Sequence, residues 1–94
     1  MTQVFNKIRA ILHKNCSLQF EDIQPEARFE VELAVDSSEM IELIGDFEEI
    51  FKITIDYDDI DNFVFDRKNS KMTIQDAVNY IESRLRENNN NSLF

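Results

Sequence analysis

The sequence predicts an all-α domain, a small four-helix bundle of three long helices and one short one. Three observations carry that expectation. Apolar residues recur at helical spacing in three separate stretches. Glycine and proline occur once each, as Gly45 and Pro25, which leaves little of the turn punctuation an all-β chain needs. At 94 residues and 43% hydrophobic content, the chain is long enough for one core and too short for two.

The first helix is expected over residues 3–15, with Val4, Ile8, Ile11 and Leu12 on one face and Lys7, Arg9 and Lys14 elsewhere. Residues 15–35 lack a clean period. Their scattered Leu18, Phe20, Ile23, Phe29 and Leu33 predict a long loop packed down on the core. The second helix begins after Asp36, whose spacing to Glu39 is that of a capping box. Met40, Ile41, Leu43, Ile44, Phe47, Ile50 and Phe51 then repeat along it, and Gly45 within it costs about 1 kcal/mol relative to alanine. A small residue there would suit close packing. Ile53-Thr54-Ile55 has the β-branched content of a short strand, and Asp58 to Phe63 is the candidate for the short helix. The last helix is expected from Thr73, with Asp76 three residues on, burying Ile74, Ala77, Val78, Ile81 and Leu85. Arg84 and Arg86 fall in its final turns, where the helix dipole favours cations. Residues 1–87 are thus read as the domain and 88–94 as an asparagine-rich polar tail.

The net charge is −9, and it is concentrated. Between Asp36 and Asp66 stand eleven acidic residues against the single base Lys52, a local charge of −10, while residues 1–35 carry −1 and residues 67–94 carry +2. Such a segment repels phosphate backbones, so nucleic acid is excluded as a partner, and it attracts basic protein surfaces. The simpler account is that these residues form the solvated faces of helices. Cys16 is the only cysteine, so no internal disulfide is possible. With no apolar run of membrane-spanning length and no signal-peptide pattern at the start, the expectation is a cytoplasmic, monomeric protein without stable membrane insertion.

Catalytic chemistry finds little support. His13, the one histidine, lies among Ile11, Leu12 and Lys14 with no nucleophile at fixed spacing, and a packing role suits it better. A His13/Cys16 zinc site lacks two further ligands. The acidic stretch 56–61 fails the calcium-loop pattern in both registers: from Asp56 the fifth position is Ile60, and from Asp59 it is Phe63. One glycine rules out a glycine-rich phosphate loop. What is left is Ser37, between Asp36 and Ser38 where the acidic helix begins. Serine and aspartate are common helix starters whatever a protein does. A hydroxyl there is also well placed to carry a phosphate ester, since free N–H groups and the positive dipole end favour an anion.

Val35-Asp36-Ser37-Ser38-Glu39-Met40-Ile41-Glu42-Leu43-Ile44 resembles the prosthetic-group site of the acyl carrier proteins, which reads Asp-Ser-Leu followed by an acidic, apolar helix. The likeness extends to Ile23–Phe29 and Glu32-Leu33 before it, to Phe47–Ile55 after it, and to Met72–Ile81, in the order that family has them. With the first helix it covers nearly the whole chain. The resemblance implies a bundle of acyl-carrier-protein type and a carrier rather than an enzyme. Ser37 would bear 4′-phosphopantetheine, supplied by coenzyme A, and its thiol would hold acyl, aminoacyl or polyketide intermediates as thioesters. Asp36 would help a phosphopantetheinyl transferase and its metal find the serine. Glu39, Met40, Glu42, Asp46, Glu48 and Glu49 would meet basic patches on that transferase, on an acyl-loading ligase or transferase, and on synthase enzymes. Ser38 stands where the family has leucine, Ala34 where it often has glycine and Asp56 where it often has proline. The stretch from Ile55 to Thr73 is longer than the family's. These departures favour a specialised carrier over a housekeeping fatty-acid one. The competing reading is an unmodified interaction module of the same fold, using the acidic helix to bind a basic partner.

Overall fold

The computed structural model describes residues 3–56 and 72–91. Three long helices form, α1 (Gln3–Cys16), α2 (Ser37–Phe51) and α3 (Ile74–Asn91), with a single 3₁₀ turn at Phe20–Asp22, and no strand among the described residues. The short helix expected at residues 58–63, and Phe63, Val64 and Phe65 with it, lie outside the described residues. Ile53–Ile55 is not a strand. It runs irregularly, with Ile53 and Ile55 buried and Thr54 exposed.

Each helix contributes one apolar stripe to a shared core. Val4, Phe5, Ile8, Ile11 and Leu12 of α1 pack with Met40, Leu43, Ile44, Phe47 and Phe51 of α2 and Ile74, Ala77, Val78 and Ile81 of α3. Leu85 is only half-buried. α1 contacts both other helices. Two residues of the α2 apolar repeat lie outside the core: Ile41 is 52% and Ile50 45% exposed. The α2 core stripe at 40, 43, 44, 47 and 51 already covers the width of one buried helix face, which leaves 41 and 50 on its two opposite flanks.

The loop from Ser17 to Asp36 is ordered by what it packs and bonds. Ile23, Ala27, Phe29, Leu33 and Val35 are buried in the core. Phe20 is 44% exposed instead, stacked on His13 at 4.2 Å between ring centroids, with the Arg9 guanidinium 5.3 Å from its ring. Arg9 also donates to the Phe20 carbonyl from Nη2 (2.7 Å), and His13 Nδ1 lies 2.7 Å from the Leu18 carbonyl oxygen. The histidine thus belongs to the seam between α1 and the loop.

The same loop finishes the start of α3. The Ile74 N–H donates to the Ala27 carbonyl (2.9 Å) and the Gln75 N–H to the Pro25 carbonyl (2.9 Å). The Asp76 N–H donates to Thr73 Oγ1 (3.1 Å), while Asp76 Oδ2 accepts from the Thr73 N–H (3.0 Å). The four N–H groups, Thr73 to Asp76, that the helix start leaves without intrahelical partners are therefore all satisfied by protein. At the other end α3 continues to Asn91, through the asparagines assigned to a tail. Arg84 and Arg86 are therefore not in its last turn. Arg84 instead donates from Nη2 to the Thr54 carbonyl (2.9 Å) and pairs through Nη1 with Glu87 at 3.0 Å, pinning residues 53–56 to the bundle.

Within the loop the Glu32 carboxylate accepts from the Arg28 side chain (Nε 2.9 Å, Nη2 2.8 Å) and from the Arg28 backbone N–H (3.0 Å). These bonds hold its carboxyl down to about 2. A depressed acid stabilises the fold above its unfolded pKa and loses that contribution as pH falls through the folded value. Glu32 thus supports the loop at neutral pH and ceases to between the ordinary carboxylate range and about pH 2. An NMR titration should place the Glu32 midpoint near 2, and Arg28→Ala, which removes the guanidinium but keeps the backbone donor, should raise it part of the way towards the ordinary value of about 4.3.

Three non-glycine residues hold left-handed backbone: Ser17 and Lys52, just beyond α1 and α2, and Ala34 at φ 52°. Left-handed geometry costs an L-residue about 1–2 kcal/mol, against about 0.4–1 kcal/mol of unfolded-state entropy that glycine adds. Ala34 is exposed and has no packing to lose. Ala34→Gly should accordingly stabilise the protein by about 0.5–1 kcal/mol in urea unfolding; a loss of stability would contradict a left-handed residue 34.

Candidate functional site

The turn at Ala34 delivers Val35 into the core, 3% exposed, and leaves Asp36 at the surface. The Val35 N–H donates to the Phe29 carbonyl at 2.7 Å, which fixes the approach. Asp36 then caps α2. Its Oδ1 accepts from the Glu39 N–H (2.8 Å), and Glu39 Oε1 accepts in return from the Asp36 N–H (3.2 Å). The capping box read from the sequence is present in full. It makes Ser37 the first residue of α2, with exposed neighbours on both sides at positions 36 and 38.

The starts of α2 and α3 differ in one respect that matters for chemistry. At α3 the loop carbonyls and Thr73 take every first-turn donor. At α2 the capping box takes the Asp36 and Glu39 N–H groups, and the Ser38 N–H has no partner among the described residues. The α2 terminus keeps donor capacity and a positive dipole end facing outward.

The acidic residues of α2 separate into two groups. Glu39 is half-buried and occupied by the cap. Asp46 Oδ2 accepts from Asn15 Nδ2 (2.8 Å), tying α2 to the end of α1. Glu48 Oε2 accepts from the Ile55 N–H (2.9 Å), while the Glu48 carbonyl accepts from Ile53 (3.2 Å), so this residue clasps the chain leaving α2. Glu42 and Glu49 alone of the five are exposed with no intramolecular bond among the described residues. Met40, expected on the recognition face, is 4% exposed and belongs to the core, because position 40 falls on the buried stripe. Periodicity singles out that stripe; nothing in the sequence separates the clasping acids from the free ones, since their partners lie at Asn15 and Ile55.

On the α1 side, Asp46, Glu49 and Ile50 face Lys7, Ala10, Ile11 and Lys14 across an open groove of about 450 Å³. The acidic face is bounded there by two lysines. Cys16, half-buried, packs at the end of α1. Burial pushes its thiol pKa up, and the negative charges of Glu39, Asp46, Glu42 and Asp36 push it further. A thiol so placed is a poor nucleophile at neutral pH.

Among the described residues no helix is long and apolar enough to cross a membrane. The family model of the phosphopantetheine attachment site matches residues 6–64, more than half of the chain, from α1 through the whole of α2. The members of that family are carriers without catalytic activity of their own. They receive 4′-phosphopantetheine covalently from phosphopantetheinyl transferases and present it to other enzymes. An all-helical bundle that holds a serine at the head of a capped acidic helix, inside the matched span, is in keeping with that match, and the chain belongs to the phosphopantetheine-attachment family of carrier proteins.

Proposed function

We propose that Ser37 is the attachment residue and that the chain carries acyl, aminoacyl or polyketide groups as thioesters on the arm fixed there. The observation that carries this reading is the position of Ser37 as first residue of a capped helix within the matched span. Its hydroxyl oxygen forms a bond to the pantetheine-bearing phosphorus of coenzyme A. The phosphoanhydride bond breaks, adenosine 3′,5′-bisphosphate leaves, and the hydroxyl proton passes to the transferase. Asp36 Oδ2, which takes no hydrogen bond among the described residues, is the oxygen open to the transferase and its metal.

The surroundings fit a tethered rather than a bound group. The diester phosphate is an anion, and the Ser38 N–H, which has no partner among the described residues, and the helix dipole favour it. The carboxylates of Asp36 and Glu39 oppose it. With these effects set against each other, the covalent bond retains the arm and leaves it free to leave the surface. Glu42 and Glu49 are the acids available to basic patches on the transferase, the loading enzyme and the synthases, through exposed pairs that are weak, fast to exchange and salt-sensitive. Ser38, Ala34, Asp56 and the long spacing from Ile55 to Thr73 favour a dedicated lipid, polyketide or peptide pathway over bulk fatty-acid synthesis.

Incubation with coenzyme A, magnesium and a broad-specificity phosphopantetheinyl transferase should add one phosphopantetheinyl mass to the intact protein, and Ser37→Ala should abolish the gain. No gain with several transferases would favour the unmodified interaction module. Burial and the neighbouring carboxylates raise the Cys16 thiol, which lowers its thiolate fraction at neutral pH. Alkylation of Cys16 by iodoacetamide at neutral pH should therefore be slower in the folded protein than in urea; faster labelling of the folded form would reverse that assignment.

A further inference from the structure

Every peptide needs a partner for its N–H and for its carbonyl, and the peptide joining Thr54 to Ile55 finds both in charged side chains. Its N–H donates to Glu48 Oε2 of α2 (2.9 Å), and its carbonyl accepts from Arg84 Nη2 of α3 (2.9 Å). Carboxylate, peptide and guanidinium therefore stand in series, the positive end of the peptide dipole on the anion and the negative end on the cation. Hydrogen bonds to ions are the strong ones, and bonds that share a group polarise one another. Both side chains are committed further. The Glu48 carbonyl also accepts from the Lys52 and Ile53 N–H groups, so the donors of residues 52, 53 and 55 all end on Glu48. Arg84 Nη1 is braced by Glu87 at 3.0 Å and lies 3.9 Å from Asp56.

The segment so held has the parts of a strap. Lys52, at φ 55° and ψ 48°, is its hinge, a left-handed residue that stays so only while its surroundings hold it. Ile53 and Ile55 are its pegs, buried in the core, with Thr54 facing outward between them. Residues 53–56 belong to no helix or strand, so no ladder of backbone bonds secures them. α1 packs on both other helices, which keeps the bundle together whether or not this segment is seated. We propose that residues 53–56 are a latched strap, which opens as one unit about Lys52 and is shut by two jaws, Glu48 on α2 and Arg84 on α3, gripping a single peptide. Glu48 and Arg84 thus act on each other without touching, and weakening either jaw loosens the whole strap. At a rise of 1.5 Å per residue, about 21 Å of helix separates Ser37 from Phe51. The device gives the bundle a local opening between α2 and α3 while the capped start of α2 stays in place. It holds whether or not Ser37 is modified.

Native-state hydrogen exchange of the full chain, followed by NMR at low urea concentrations, reads the strap directly. In the wild type the Ile53 and Ile55 amides should share one opening, faster than that of Ile8 and Leu12 in α1 and less dependent on urea, because little surface is exposed. Arg84→Ala leaves the Ile55 N–H its own acceptor, yet should speed exchange of that amide about tenfold, the scale of a hydrogen bond to an ion. Glu48→Ala should do at least as much. The double variant should speed it by less than the product of the two single effects, since one lost jaw already frees the peptide. Arg84→Gln, which keeps a donor without the charge, should fall between wild type and Arg84→Ala, and carries the test if the alanine variant does not fold. Three results each overturn the strap. One is Ile53 and Ile55 exchanging with the rate and urea dependence of Ile8 and Leu12. Another is Ile55 exchange that neither Arg84 variant alters, and the third is a double variant equal to the product.

Discussion

The start of α2 is the constraint on which the rest of the molecule's chemistry depends. Val35 is buried, Asp36 is the cap, and the reciprocal bonds between Asp36 and Glu39 leave one residue at which the helix can begin. A cap of this kind contributes about 1 kcal/mol, which is modest as stability. Its larger effect is on register. Displacing the start by one residue would rotate the core stripe of α2 by about 100° and expose Leu43 or Phe47. The core and the cap therefore enforce each other, and position 37 is specified twice.

The long loop does two jobs that are easily mistaken for one. It contributes five buried residues to the core, and its backbone carbonyls at Pro25 and Ala27 fill the donors at the start of α3. The consequence is an asymmetry between two helix starts with similar local sequences. Thr73/Asp76 and Asp36/Glu39 are both capping boxes, yet only at α2 does a first-turn donor remain without a partner among the described residues. Position 37 is distinguished from other serine-rich or threonine-rich helix starts by what the loop does elsewhere. The acidic helix shows the same economy of roles. Glu39, Asp46 and Glu48 hold the helix's start, flank and exit, and the outward face is left to Ile41, Glu42, Gly45 and Glu49.

Much of this was legible in the residues alone. The three helices follow from apolar spacing, both capping boxes from a four-residue pattern, and the acidic segment from counting, because each of these depends on neighbours within one or two turns. The match to the carrier family follows from the ordered set of such local patterns. Part of what expectation missed was a distant partner: Asp46 and Glu48 are held by Asn15 and by the Ile55 N–H. Met40 was legible, since position 40 falls on the buried stripe that the helical period marks.

The sequence by itself determined the three long helices, the family and the serine at the head of the acidic helix, since helix propensity, capping and charge density are properties of short stretches. Only the tertiary structure decided which α2 carboxylates have a partner among the described residues and that burial and nearby carboxylates raise the Cys16 thiol. Those properties are set by groups thirty residues away in sequence and a few ångströms away in space, and no local pattern encodes that distance.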